Sequence, residues 1–460
     1  MQHTLKNIIT VSGIGIHTGV NTSLTLKPSL ANTGIQFIRT DLKENVVIKA
    51  DIDNIFSTSR STVLKKGNTE IHTVEHILAA IIGSEIDNII IEVNNIEIPI
   101  LDGSAKLFTE LILESGKLNQ KVERKFFEIK RKISFKDEET GTILTAEPAE
   151  EYQLDVTIDY KSKALKTQKA VMNSITEFNT EFASSRTFCF LHELEILLDK
   201  NLIKGGDLNN AIVIAEERIP QERLNKLKNI FNKQDIEVTP GGTLNNLTLR
   251  HDNEPARHKL LDIIGDLALI GRPIKGKITA YKPGHRNNTN FAKKLKQIMK
   301  EEISKTAPII NLDDKPMYDR KKIKTILPHR EPFLFIDEIR EIGEDFIIGT
   351  KFVKSDENYF QGHFPSEPVM PGVLQLETMA QAGGVLILST VDNPEDYLTF
   401  FMKIDNAKFK QKVIPNDIII FRLDLISPVR RGLCHMHGKG FVNGKIVVEA
   451  DLLAQIAPKK

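Results

Sequence analysis

Two short clusters lie far apart in this 460-residue chain, HTVEH at His72 to His76 and RHKLLD at Arg257 to Asp262, and together they read as halves of one metal site. Whatever fold the chain adopts must therefore bring them together. His258 and Asp262 stand four residues apart in HKLLDIIGDLALIG, whose apolar residues recur at helical spacing. Both side chains then leave one face of a helix a turn apart, where a single cation can take an imidazole nitrogen and a carboxylate oxygen. Zinc in a hydrolase takes about three protein ligands and keeps a fourth position open, so a further ligand must arrive from elsewhere. His76 is the candidate. Its neighbour Glu75 suits a general base, because a carboxylate beside a metal site can accept the proton of water made acidic there.

The first cluster also fits H-x-x-E-H, the inverted zinc-protease pattern, with His72 and His76 as ligands and Glu75 as base. Against a protease stand the second ligand pair and AYKPGH, which ends in His285 just beyond the second helix. A histidine after Pro283 and Gly284 is expected on a turn. From there it can reach into a site as an acid, or as a cation that steadies oxyanion charge.

VSGIGIHTG at 11–19, HTVEH, LDGSA at 101–105, SRTF at 185–188, KGGDLNNAIV at 204–213, RHKLLDIIGDL and AYKPGH follow the order found in UDP-3-O-acyl-N-acetylglucosamine deacetylases, the LpxC enzymes of lipid A synthesis. Residues 1–300 resemble that family. The resemblance implies zinc held by His76, His258 and Asp262, with Glu75 as base and His285 as electrophilic or acid partner oriented by Asp266. It implies further that Thr187 supports the oxyanion, Phe188 lines the sugar site and Lys259 contacts the substrate, a UDP-sugar acyl ester. His72 then lies outside the ligand set. The chain departs from the family at Cys189, where glycine usually follows SRTF, and a small change in the pocket wall is expected. The family is built from two similar α+β halves, and a faint repeat agrees. LTLKP at Leu24 to Pro28 recurs as LTAEP at Leu144 to Pro148, followed by alternating apolar residues, Ile35 and Phe37, then Leu154, Val156 and Ile158. The expected subdomains are 1–125 and 126–303, with the site between them.

KKLKQIMKEEISK at 293–305 predicts a short amphipathic helix, with Leu295, Ile298, Met299 and Ile303 on one side. Residues 304–319 carry Pro308, Pro316, Asp313 and Asp314 without periodicity and are expected to form a linker. In 320–460, VMPGVLQLETMAQAGGVLILSTV is apolar on nearly all sides, as a helix sheathed in protein would be. Strand-like runs follow, TFFMKIDNAKF, DIIIFRLDLIS, and then HMHGKGFV and KIVVEADLLAQI, joined by Asn443 and Gly444 in a hairpin turn. A buried helix followed by an antiparallel sheet gives an α+β class. Glu377 lies on the apolar helix, where an isolated carboxylate is costly and tends toward the protonated form that can donate. His363, in GHFP, can remove a proton near neutral pH. The alternative is an acyl-binding oligomerisation module without chemistry.

PHREPFLFID, GHFPSEPVMPGVLQLETMAQ and AKFKQKVIPND resemble the 3-hydroxyacyl-acyl-carrier-protein dehydratases of the FabZ type, a hot-dog fold, over 320–460. That resemblance implies His363 as base and Glu377 as acid in removing water from a 3-hydroxyacyl thioester to give the trans-2-enoyl product. It also implies an acyl carrier protein as partner and a homo-oligomer in which the pair is completed across a dimer interface. Amides around Gly372 and Val373, at the positive end of the helix dipole, can polarise the thioester carbonyl.

Sixty-two basic and sixty-one acidic residues leave a net charge of +1, which carries no global footprint for nucleic acid. KVERKFFEIKRK forms a local basic run suited to an acidic carrier protein or a diphosphate. Two cysteines give no disulfide framework, MQHTLKNIITVSG lacks the apolar core of a signal peptide, and no run reaches spanning length. A cytoplasmic enzyme with no transmembrane segment is expected.

Overall fold

A computed structural model describes residues 1–199, 204–207, 210–216, 221–230, 236, 242–244 and 247–459. They divide into two compact units, Met1–Gln297 and Ile298–Lys460.

The larger unit repeats one α+β plan. Its first sheet runs Ile9–Ile14, Asn21–Pro28, Ile89–Val93, Ile35–Arg39, Val47–Lys49 across its width, and its second runs Ile133–Asp137, Thr142–Glu147, Ile274–Tyr281, Tyr152–Ile158, Gln168–Met172. In both, the central strand pairs antiparallel on one side and parallel on the other. LTLKP and LTAEP fall on equivalent strands, so the faint sequence repeat marks a duplicated topology. Alternation places the residues: Leu154, Val156 and Ile158 are buried, whereas their strand neighbours are only partly covered.

In each half a helix precedes the central strand, Glu75–Gly83 in one and Glu254–Ala268 in the other, and the two helices pack together. Contact is close because position 265 lacks a side chain: a Cβ on Gly265 would stand 2.1 Å from the carbonyl oxygen of Glu75. Gly265→Ala is therefore expected to push the helices apart and destabilise this unit by about 1–3 kcal/mol. Chemical denaturation monitored through deacetylation and dehydration separately would show loss of the first activity at lower denaturant and no change in the second.

In the smaller unit six antiparallel strands follow the order Glu338–Ile342, Phe346–Phe352, Ile418–Leu425, Leu433–Val442, Lys445–Pro458, Tyr397–Phe409. The sheet packs against the helix Gly372–Leu388, whose Met379, Ala382, Val385 and Leu386 join Ile419, Phe421 and Val448 in the core. Asn443 and Gly444, at φ +48 and +77, make the expected tight hairpin between Leu433–Val442 and Lys445–Pro458. The segment 306–319 has no helix, and Tyr318 pairs through its backbone with Ile339. Among the described residues no helix is long and apolar enough to cross a membrane.

Candidate active sites

Thr73, at φ +59, turns the chain so that a helix starts at Glu75, which puts Glu75 and His76 in its first turn. The facing helix contributes His258 and Asp262 from one side. His258 Nε2 lies 3.3 Å and His76 Nε2 3.8 Å from Asp262 Oδ1, and the two rings meet edge-on with centroids 5.1 Å apart. His258 Nδ1 donates to the Ser185 carbonyl at 3.0 Å, so the neutral ring presents a lone pair at Nε2. Burial pushes His76 down to about 3, and burial lowers His258 too. Both imidazoles are thus in the neutral, ligating form. Burial works against ionised Asp262, but the positive charges of Lys259 and His285 outweigh it and hold the carboxyl well below its usual range. Lys259 Nζ donates to Asp262 Oδ2 at 2.8 Å, whereas Oδ1 is buried without a hydrogen-bond partner. An orphaned carboxylate oxygen facing two neutral imidazole nitrogens fits one divalent cation.

Next to this cluster Glu75 Oε2 accepts the Thr62 N–H at 3.0 Å. Burial raises the Glu75 carboxyl to about 7, although His285 pulls the other way. His285 Nε2 is 3.9 Å from Glu75 Oε1 and 3.9 Å from Asp262 Oδ2. Its Nδ1 donates to Asp266 Oδ2 at 2.9 Å, and Asp266 also accepts from Thr62 Oγ1 and Asn288 Nδ2. Burial alone would lower His285, yet Asp266 and Asp262 carry it up to about 10, so the ring is a cation. The expected turn ends at Gly284, and His285 opens the helix His285–Lys305, which is longer than the one read from 293–305. Thr62 and Asn288 gave no signal in the sequence. Asn288 became recognisable only once His285 proved helical, which brings a residue three places on to the same carboxylate.

The cluster opens into a cavity of about 500 Å³ lined by Thr187, Phe188, Lys259 and His285, with Phe190, Leu194, Ile196 and Val213 forming apolar wall. Lys259 Nζ sits 5.5 Å from the centre of the Phe188 ring. Cys189 lines the same wall, and burial pushes its thiol up to about 12. Of KGGDLNNAIV, Gly206, Asp207, Ala211 and Val213 reach the cavity, while Leu208 and Asn209 lie outside the described residues.

His72 does not join the cluster. Its Nε2 is 3.1 Å from Glu70 Oε2, and its backbone pairs with Ile96 and Ile98 as an extended segment. The break at Thr73 means that His72 and His76 never share a helical face, which removes the protease pattern.

In the smaller unit His363 follows a short helical turn, Asn358–Gln361, and its Nδ1 donates to the Val369 carbonyl at 2.7 Å. In the neutral ring Nε2 is then the basic nitrogen. Glu377 sits on the helix that starts at Gly372; Val373 in its first turn is 69% exposed. Gln381 is the residue that sequence reasoning missed here, although its i+4 spacing from Glu377 on a helix was available. Its oxygen accepts the Phe335 N–H, so its amide nitrogen faces Glu377 Oε1 at 2.9 Å and donates. Glu377 and His329 border an apolar cavity between helix and sheet, lined by Ala380, Leu423, Met436 and Leu452. His363 and Glu377 share no hydrogen bond or ion pair within the chain. Phe400, Phe401, Met402 and Ile404 lie exposed along the edge strand Tyr397–Phe409.

A family model described as UDP-3-O-acyl N-acetylglycosamine deacetylase matches residues 2–236 and 231–297, and one described as a FabA-like domain matches 327–451. The chain is similar to the "Bifunctional enzyme LpxC/FabZ" of Bacteroides thetaiotaomicron, with 46% identity over 460 residues, 100% of this chain and 99% of the other. That of Chlorobaculum tepidum is 40% identical over 465 residues, with 100% and 99% covered. A "UDP-3-O-acyl-N-acetylglucosamine deacetylase" of Teredinibacter turnerae is 38% identical over 304 residues, 65% of this chain and 91% of that protein.

Proposed function

We propose, for a chain that belongs to the bifunctional LpxC/FabZ family, two chemistries on one polypeptide. Residues 1–303 deacetylate a UDP-3-O-(3-hydroxyacyl)-N-acetylglucosamine, and residues 320–460 dehydrate a 3-hydroxyacyl-acyl-carrier-protein to its trans-2-enoyl form. The observation that carries the first is Asp262 Oδ1, buried and unpartnered between two neutral imidazoles from opposite halves. Zinc is the cofactor that a two-histidine, one-carboxylate set suits, held by His76, His258 and Asp262. When bound it polarises the amide carbonyl and acidifies water. Glu75, held by the Thr62 N–H, takes the proton of the attacking water, and as the C–N bond breaks the leaving amine takes a proton from Glu75 or His285. Protonated His285, locked by Asp266, faces the developing oxyanion charge with the Thr187 hydroxyl. Lys259 and Phe188 border the space left for the sugar.

For the second chemistry, His363 Nε2 takes the α-proton while Glu377 protonates the departing hydroxyl. N–H groups at the start of the Gly372–Leu388 helix, around Gly372 and Val373, polarise the thioester carbonyl. Because His363 and Glu377 do not meet within the chain, a second copy completes the site, and the exposed apolar edge strand supplies a surface for it. Free Cys189 and Cys434 suit a reducing, cytoplasmic compartment.

Both activities should be assayed on the purified full chain. Glu75→Gln is expected to lower deacetylation by about 10²–10⁴-fold and leave dehydration intact, and Glu377→Gln the reverse. Loss of both activities from either variant would contradict two separate sites.

A further inference from the structure

Glu97 is a fully buried carboxylate that neither chemistry uses. Its Oε1 accepts the His17 N–H at 3.1 Å and the Thr73 hydroxyl at 3.0 Å. Its Oε2 accepts the Thr18 N–H at 2.8 Å and the Thr18 hydroxyl at 2.6 Å. These donors come from two segments of the chain, and His17 from one and Thr73 from the other both line the deacetylase cavity. Thr73 is also the residue at φ +59 that turns the chain into Glu75 and His76. The loop closes tightly on the carboxylate, for a Cβ on Gly15 would stand 2.3 Å from Glu97 Oε2.

We propose that Glu97 is a positioning residue of the deacetylase: it fastens the His17 loop to the Thr73 turn and so sets the aim of Glu75 into the cavity. This rests on the deacetylase reading above. The chemistry requires a carboxylate and not merely a polar group of that size. Two of the four donors are backbone N–H groups, which cannot reverse their role. A glutamine in one orientation sets its NH₂ against the His17 N–H, and in the other against the Thr18 N–H. Either way a buried donor faces a donor, and one of the two segments is released. Thr73, whose hydroxyl reaches Glu97 Oε1, is the link through which the carboxylate acts on the turn before Glu75.

The test uses the full chain as wild type, Glu97→Gln, Thr73→Val and the double variant. For each, kcat and KM of deacetylation, bound metal per chain and dehydration are measured on the same preparation. For Glu97→Gln a fall in kcat on the order of 100-fold is expected, because a catalytic group displaced by about 1 Å loses that much. Thr73→Val should cost about tenfold, the size of one lost hydrogen bond of about 1.4 kcal/mol. KM, metal content and dehydration should stay at wild-type values, and the double variant should be no slower than Glu97→Gln, since Thr73 acts through Glu97. Wild-type kcat in Glu97→Gln, or losses that multiply in the double variant, would overturn the proposal. If Glu97→Gln does not fold, wild-type kcat in Thr73→Val overturns it alone. A wild-type chain without deacetylation would instead overturn the underlying reading, and the proposal with it.

Discussion

His258→Ala is expected to remove the stoichiometric divalent metal and lower deacetylation by about a thousandfold or more, with dehydration unchanged. The substitution deletes the Nε2 that stands 3.3 Å from Asp262 Oδ1 and leaves only His76, 3.8 Å away, beside that oxygen. The carboxylate keeps its Lys259 contact, so the helix face stays ordered while the ion loses a ligand. His72→Ala provides the contrast. Its imidazole is held by Glu70 and lies outside the ligand cluster, so metal content and rate should stay near wild type. Mass-spectrometric metal analysis after desalting distinguishes them. Metal lost on replacing His72 and kept on replacing His258 would restore the H-x-x-E-H reading.

Mixing two inactive variants, His363→Ala and Glu377→Ala, should restore about a quarter of wild-type dehydration once their subunits are allowed to exchange. Random pairing gives about half heterodimers, and each holds one intact His363 opposite one intact Glu377 out of two sites. Apart, each variant should be reduced by about 10²–10⁴-fold, the usual loss on removing a proton-transfer group. The geometry behind this is the lack of contact between the two side chains in one chain. His363 is engaged by Val369, and Glu377 by Gln381. Deacetylation in the same mixtures serves as the control and should not change. No recovery after full exchange would mean that one chain assembles the dehydratase site by itself.

Legibility in the sequence followed the range of the interactions. His258 and Asp262 could be read from helical spacing alone, because the helix carries both on one face. The Asn443-Gly444 hairpin was equally local, as its backbone needs two left-handed residues and both are there. The duplicated halves showed only as five matching residues, because a sheet tolerates almost any apolar side chain on its buried positions. Thr62 lies beyond the reach of such reasoning. Its N–H and hydroxyl serve Glu75 and Asp266 through a loop-to-helix contact 204 residues apart for the second, with no local pattern. His285 was chemically evident and placed wrongly, on a turn, because Pro283 and Gly284 signal a turn and equally precede a helix start. HTVEH misled in the other direction. Five residues fit a helix motif, but Thr73 adopts a left-handed conformation that no motif spacing reveals.

The most direct measurement is an anomalous difference map at the zinc edge from crystals grown with zinc. One peak is expected about 2.0–2.2 Å from the Nε2 atoms of His76 and His258 and from an Asp262 carboxylate oxygen. A peak beside His72, or none with His76 and Asp262 well ordered, would contradict a single ion shared by the two halves.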